Sequence, residues 1–382
     1  MPIIKSNSAL IAFDDINFGD SDKFTFISYL QSLALDIKVN RINNKNIGSS
    51  ESAVNQFVEP EITLSLNLLQ TKDFFNEMIF GFEFSSSISD DRFLIKKLFN
   101  NDFYNKNSFI LFSNIQGSDL IYSSLNNSMS SLSIGNLYLD SYSFAYRIKE
   151  VPTVTVNFSC NNFKIEKISN DLKLKKWDES EVQLSNSMFD NLKLITPNTD
   201  QLVYIMSGLS LSGNFNSGSN LGPNISNLLN GIIQSFECSI SFNRNKLYFF
   251  NNTNGPQDRK IILPVAGSLK VSGISNEFDL GNIKAFFESN SSFSMSVDIL
   301  DEIGESSSTL IYNKLFVESF SYSVNLNGFL EYSLDCSFQL TDKSGMKILK
   351  VGKPNDLFQK IQTSNLDDVK SSDGFFFYTK RP

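Results

Sequence analysis

Gln31-Ser32-Leu33-Ala34-Leu35-Asp36-Ile37-Lys38-Val39-Asn40-Arg41 returns without a gap as Gln234-Ser235-Phe236-Glu237-Cys238-Ser239-Ile240-Ser241-Phe242-Asn243-Arg244. The shift is 203 positions, the Gln-Ser start and the Asn-Arg end are identical, and each apolar residue between them keeps its phase. A second block follows in the same order: Leu137 to Phe158 matches Leu315 to Cys336 at a shift of 178, with Ser141-Tyr142-Ser143-Phe144 over Ser319-Phe320-Ser321-Tyr322. Two blocks in one order mean a tandem duplication. The smaller second shift means shorter loops in the second copy, where insertions sit on the surface.

Alternation within the blocks has the period of two that marks strands with one buried face. In the first copy Leu33, Leu35, Ile37 and Val39 oppose Ala34, Asp36 and Lys38, and Ile62, Leu64, Leu66 and Leu68 oppose Thr63, Ser65 and Asn67. Tyr142 to Ile148 and Val154 to Cys160 alternate in the same way. The second copy repeats this around Phe236 to Phe242, Leu269 and Val271, Phe320 to Leu326 and Tyr332 to Phe338, with Asn327-Gly328 as a hairpin turn. The fold class is therefore mainly β, as two tandem domains.

The expected divisions are a first β domain over 1–165, a connector running into the second copy over 166–230, a second β domain over 231–345 and an extension over 346–382. Gly- and Ser-rich Leu211 to Pro223 reads as the most flexible part of the connector. Lys72 to Phe80 and Asn282 to Phe287 read as one short helix per copy, packed on its sheet. Asn40 to Glu59 and Asn243 to Arg259 read as long polar loops without structure of their own, a length that is usually functional or ordered by a partner. The aromatic run Phe375-Phe376-Phe377-Tyr378 makes most sense buried against a neighbour.

Composition removes whole classes of function. There are no histidines, which excludes Ser-His-Asp triads, Cys-His dyads and His-ligated metals together. A net charge of -8 opposes tight wrapping of nucleic acid, since phosphate binding needs clustered Lys and Arg. Three widely spaced cysteines, Cys160, Cys238 and Cys336, form neither a disulfide framework nor a CxxC site, and their phase makes them buried thiols. Gly208, Gly213 and Gly218 lack the spacing and the Lys-Ser/Thr of a phosphate loop. Acid pairs such as Asp14-Asp15, Asp90-Asp91, Asp301-Glu302 and Asp367-Asp368 fall in apparent turns or surface segments, where carboxylates are usually just solvated. No catalytic, cofactor or metal site is expected, and no signal peptide or membrane span is read, so a soluble protein is expected.

A duplicated sheet with a Ser-, Thr- and Asn-rich polar face resembles the tail tube proteins of bacteriophages. The resemblance covers about residues 25 to 160 and 230 to 340 and rests on pattern and duplication. It implies a β-sandwich or half-barrel with a flanking helix, inner sheets joined into a hydrophilic, net acidic barrel, and trimeric, pseudo-hexameric rings that stack into a channel for DNA ejection. Carried onto this sequence, it places Ala34, Asp36, Lys38, Thr63, Ser65, Asn67, Glu237, Ser239, Ser241 and Lys270 on the lumen. Ring stacking would fall to Asn40, Arg41, Asn43, Glu51, Glu59, Asn243, Arg244, Asn252, Asp258 and Arg259.

The implied partners are other copies of the chain, terminator, baseplate or sheath proteins, and DNA passing without specific binding; no membrane is implied. The implied location is the virion tail, after assembly in the host cytoplasm. A baseplate hub or distal tail protein with the same duplicated fold is the nearest alternative. A DNA sliding clamp, for which the basic residues form no stripe, and a secreted β-rich adhesin, which lacks an export signal, are more remote.

Overall fold

A computed structural model of the chain describes residues 9–14, 24–27, 29–38, 41–45, 52–57, 61–70, 74, 76–77, 80–83, 94–95, 98, 108–114, 129–135, 137–160, 162–168, 173–175, 181–183, 208–215, 232–247, 258–274, 292–300, 306–324, 329–341 and 346–350. Strands dominate them. The eight strands legible in the repeat are labelled β1 (Leu30–Lys38), β2 (Glu61–Leu69), β3 (Tyr138–Arg147), β4 (Thr153–Cys160), β5 (Ile232–Ser241), β6 (Val265–Ile274), β7 (Ser306–Val324) and β8 (Leu330–Leu340).

All eight lie in one continuous antiparallel sheet in the order β1-β2-β4-β3-β5-β6-β8-β7. Each copy contributes four neighbours in the same internal order, and the copies join where β3 meets β5. The repeat extends to irregularities. The β3–β4 ladder shifts register at Asp140, and the β7–β8 ladder shifts at Glu318, which lies 178 positions further on. A bulge kept at equivalent places in both copies is a designed bend rather than a defect.

Each copy carries a second layer. In the first, Asn162–Lys167, Met129–Gly135, Ser108–Asn114, Ala9–Asp14 and Phe24–Phe26 pair in that order. In the second, Ser306 to Leu315 of the long β7 pairs with Phe293–Leu300 on one side, and Gly208–Phe215 pairs with Phe293–Leu300 beyond it. Met346–Lys350 pairs with Ser308 to Tyr312. The core lies under the apolar faces of the strands. Tyr312 of the second layer packs its ring 6.1 Å from Phe236 and 5.3 Å from Phe338 of the eight-stranded sheet. In the first copy Phe80 meets Phe158 at 5.5 Å and Phe82 meets Tyr142 at 4.6 Å.

Three expectations change. The helix expected over Lys72 to Phe80 reduces among the described residues to one turn at Asn76 and Glu77, closed by Phe80 N–H donating to Asn76 O at 3.1 Å. The helix expected at Asn282 to Phe287 lies outside the described residues. The supposedly unstructured loops contain β-hairpins, Arg41–Lys45 with Ser52–Phe57 and Arg244–Leu247 with Asp258–Ile261. Their short strands lack the apolar alternation that reveals a strand in sequence. Leu211 to Phe215 is strand rather than flexible connector, because it pairs with Phe293 to Val297. Asn327-Gly328 and the aromatic C-terminal run lie outside the described residues.

Candidate functional site

The polar face of the eight-stranded sheet is the feature that sequence and structure both single out. Alternation sends Leu64, Leu66, Val154, Val156, Phe236 and Val271 into the core and turns their neighbours outward. Of the ten expected face residues, Ala34, Asp36, Lys38, Thr63, Asn67, Ser239, Ser241 and Lys270 are exposed, and Ser65 and Glu237 are half-buried. The ladders place all ten on one surface. One row reads Ser32, Asn67, Thr155, Ser143, Ser239, Ser268 and Ser337 across seven strands.

Many of these side chains bond to one another. Asn67 Nδ2 donates to Ser32 Oγ at 2.7 Å, Thr155 Oγ1 donates to Asn67 Oδ1 at 2.8 Å, and Asn157 Nδ2 donates to Ser141 Oγ at 2.7 Å. Ser239 and Ser268 share a 2.8 Å hydroxyl pair, and Ser319 donates to Asp335 at 2.5 Å. Charges are mixed. Among the described residues of this face Asp36, Glu61, Glu237, Glu331 and Asp335 outnumber Lys38, Arg147 and Lys270. Lys38 lies 3.6 Å from Asp36, and Arg147 lies 3.4 Å from Glu237. The surface is polar, weakly acidic and without a concentrated charge.

The residues expected to stack rings separate into two groups. Asn40, Glu51, Glu59 and Asn252 lie outside the described residues, while Arg41 and Asn43 lie on the first hairpin and Asp258 on the second. Asn243 is exposed. Arg244 and Arg259 instead turn inward and fix the second hairpin to the first copy. Arg244 Nε and Nη2 donate to Leu139 O at 3.2 and 2.9 Å, and Arg259 Nη1 donates to Ser159 Oγ at 2.7 Å. Both guanidinium groups stack near the Tyr138 ring, at 5.5 and 5.4 Å. Burial raises the Asp140 carboxyl above its ordinary pKa, opposed by the hydrogen bond from Ser159 and the charges of Arg244, Arg259 and Lys246. Sequence reading missed this clasp, since it depends on strands from different copies meeting.

Two further chemistries lie beneath the face. Burial pushes the thiols of Cys160, Cys238 and Cys336 up to about 12, which leaves them protonated and unreactive. Glu77 is fully buried, accepts a hydrogen bond from the Tyr142 hydroxyl at 3.2 Å, and has its carboxyl pushed up to about 7 by desolvation. It sits under the sheet, away from the polar face. Among the described residues no group of three or more Cys, Asp or Glu side chains is placed to hold a metal ion, and no helix is long and apolar enough to cross a membrane.

No family model matches the chain, and no curated protein matches it. Solved structures do match, among them a chain from the cryo-EM structure of the anti-feeding prophage baseplate, six-fold symmetrised. The match has 12% identity, covers 38% of this chain and 95% of that chain, and has a TM-score of 0.27. At that identity and score it assigns this chain neither a fold nor a role.

Proposed function

We propose that this chain is the structural subunit of a bacteriophage tail tube, assembling as trimeric rings of six quasi-equivalent sheets that stack into the channel for DNA ejection. The observation that carries this reading is the junction between the copies. β5, the first sheet strand of the second copy, pairs with β3 of the first, so the sheet has been extended once by an edge-to-edge operation. The same operation applied to another chain extends it again. A repeated head-to-tail contact closes into a ring when its rotation divides a full turn, and closure removes the edges that otherwise template aggregation.

On this reading the polar face lines the lumen, and the chain carries out no chemistry of its own. DNA slides because like charge and bound water keep its phosphates off a wall whose hydroxyls already bond laterally. The hairpins project toward neighbouring rings, and the remaining partners are terminator, baseplate or sheath proteins of the virion tail.

Negative-stain electron microscopy of the purified chain over a concentration series tests the proposal. Hollow tubes of uniform diameter, or stacked rings, are expected. Isolated rings that never stack would move the assignment to a baseplate hub or distal tail protein. A monomer at every concentration, even with the partner that initiates assembly, would overturn it.

A further inference from the structure

The clasp inside the chain has half of a counterpart at its outer edge. The repeat carries Tyr138, Leu139 and Asp140 onto Phe316, Val317 and Glu318, and it carries Arg244 onto Arg41. Glu318 occupies the same bulge as Asp140 and accepts a hydrogen bond from Ser337, as Asp140 does from Ser159. The arginines are what differ. Tyr138 is covered by Arg244 and Arg259 and is 1% exposed, whereas Phe316 is 42% exposed. Among the described residues Glu318 makes no ion pair.

The strands on either side of Phe316 and Arg41 show the same incompleteness. At the β3–β5 seam Tyr142, Phe144, Tyr146, Phe236, Cys238 and Ile240 are each no more than 3% exposed. Their counterparts on the outer edges remain open, with Ile37 at 37% and Val324 at 63%. Among the described residues β1 pairs only with β2, and Phe316 to Val324 of β7 pair only with β8.

We propose that a second copy of this chain docks its β1 on the Phe316 to Val324 edge in the register of the β3–β5 seam, with its Arg41 seated over Phe316 and beside Glu318. Transferring the internal pairs sets Leu33 opposite Val324, Leu35 opposite Tyr322 and Ile37 opposite Phe320 on the apolar side. On the polar side Ala34 faces Ser323, Asp36 faces Ser321 and Lys38 faces Ser319. Ile148 N–H donates to Gln234 O and Phe242 N–H donates to Asp140 O across the internal seam, so the polar-side pairs there are the non-hydrogen-bonded ones. Those are the close pairs of an antiparallel ladder, at a separation a disulfide can span.

This inference rests on the ring reading and specifies its seam, and two sets of variants of the full chain test it. Ala34→Cys with Ser323→Cys is expected to give covalent oligomers on mild oxidation, while Lys38→Cys with Ser323→Cys, four residues out of register, gives none. Arg41→Glu and Glu318→Arg are each expected to raise the concentration needed for assembly by about tenfold, and the two together to restore most of it. Thermal melting of each variant identifies loss of fold. Rings or tubes with crosslinking at the shifted pair, with crosslinking at neither pair, or without rescue by the double reversal would overturn the seam and leave the ring reading standing. No oligomer from the unmodified chain, even with the partner that initiates assembly, would remove both.

Discussion

The two copies fill one position in opposite ways. In the first, Ile62 on β2 faces Cys160 on β4; in the second, Gly267 on β6 faces Phe338 on β8. The large residue has changed strands. A Cβ on Gly267 would lie 2.3 Å from the Phe338 ring, so that glycine is required by its neighbour's bulk. Elsewhere Tyr142, whose hydroxyl reaches buried Glu77, is matched by Phe320, which needs no acceptor. Backbone register and bulge have stayed fixed while side-chain volume and polarity were redistributed. Cores tolerate such exchanges when total volume and pattern are kept.

The sharpest way to break this comparison is Gly267→Ile, which installs the first copy's residue against the second copy's phenylalanine. It is expected to lower stability by about 3 kcal/mol, the upper range for overpacking. Adding Phe338→Cys recreates the first copy's pair and should recover more than half of the loss in denaturant unfolding. A double variant no better than the sum of the singles would show that the two pairs are not equivalent.

Glu77 gives an effect nearly as large, tied to pH. Its carboxyl titrates at about 7 when folded and near 4.5 when unfolded, so the folded state binds more protons between those values. Stability is therefore greatest below pH 4.5 as far as this group is concerned, and falls as pH rises to about 7, by up to about 3 kcal/mol. Melting temperatures at pH 5 and pH 8 should differ in the native chain, and Glu77→Gln should shrink that difference. An unchanged pH dependence would mean that water reaches the carboxylate.

Removing the clasp should cost less. Arg259→Ala loses the 2.7 Å bond to Ser159 and the stacking on Tyr138, and about 2 kcal/mol of stability is expected to go with them. The loss should show as faster hydrogen exchange in the 244–261 hairpin. The smallest effect belongs to the Arg147–Glu237 pair across the seam, whose side chains are about half exposed. Glu237→Gln should change stability by no more than about 0.5 kcal/mol, as for most surface ion pairs.

Much of the eight-stranded sheet was legible because period two leaves a mark on every residue, and Leu64, Leu66, Val154 and Val156 carry it without interruption. The polar face followed for the same reason. Asn43 and Asn245 lie on short hairpin strands whose few apolar residues, such as Ile42 and Leu247, do not alternate, so nothing local distinguishes them from loop. Gly208–Phe215 was hidden by its glycines and serines, since its strand state comes from pairing with Phe293–Leu300, about 80 residues away along the chain. The clasp was invisible for a stronger reason. Tyr138 and Arg244 belong to different copies, and the repeat gives each copy's internal order without saying which edges meet.

On the ring reading, the β3–β5 seam also changes the kinetics of growth. Joining two free bodies costs an estimated 4 to 15 kcal/mol in lost translation and rotation. Within one chain that loss is reduced, because the two copies are tethered and their meeting is intramolecular. In a ring of six sheets half the seams would then form as each chain folds, leaving three seams between chains instead of six. A nucleus of lower order depends less steeply on subunit concentration, so the fused chain would assemble at levels where two separate halves would stay dispersed.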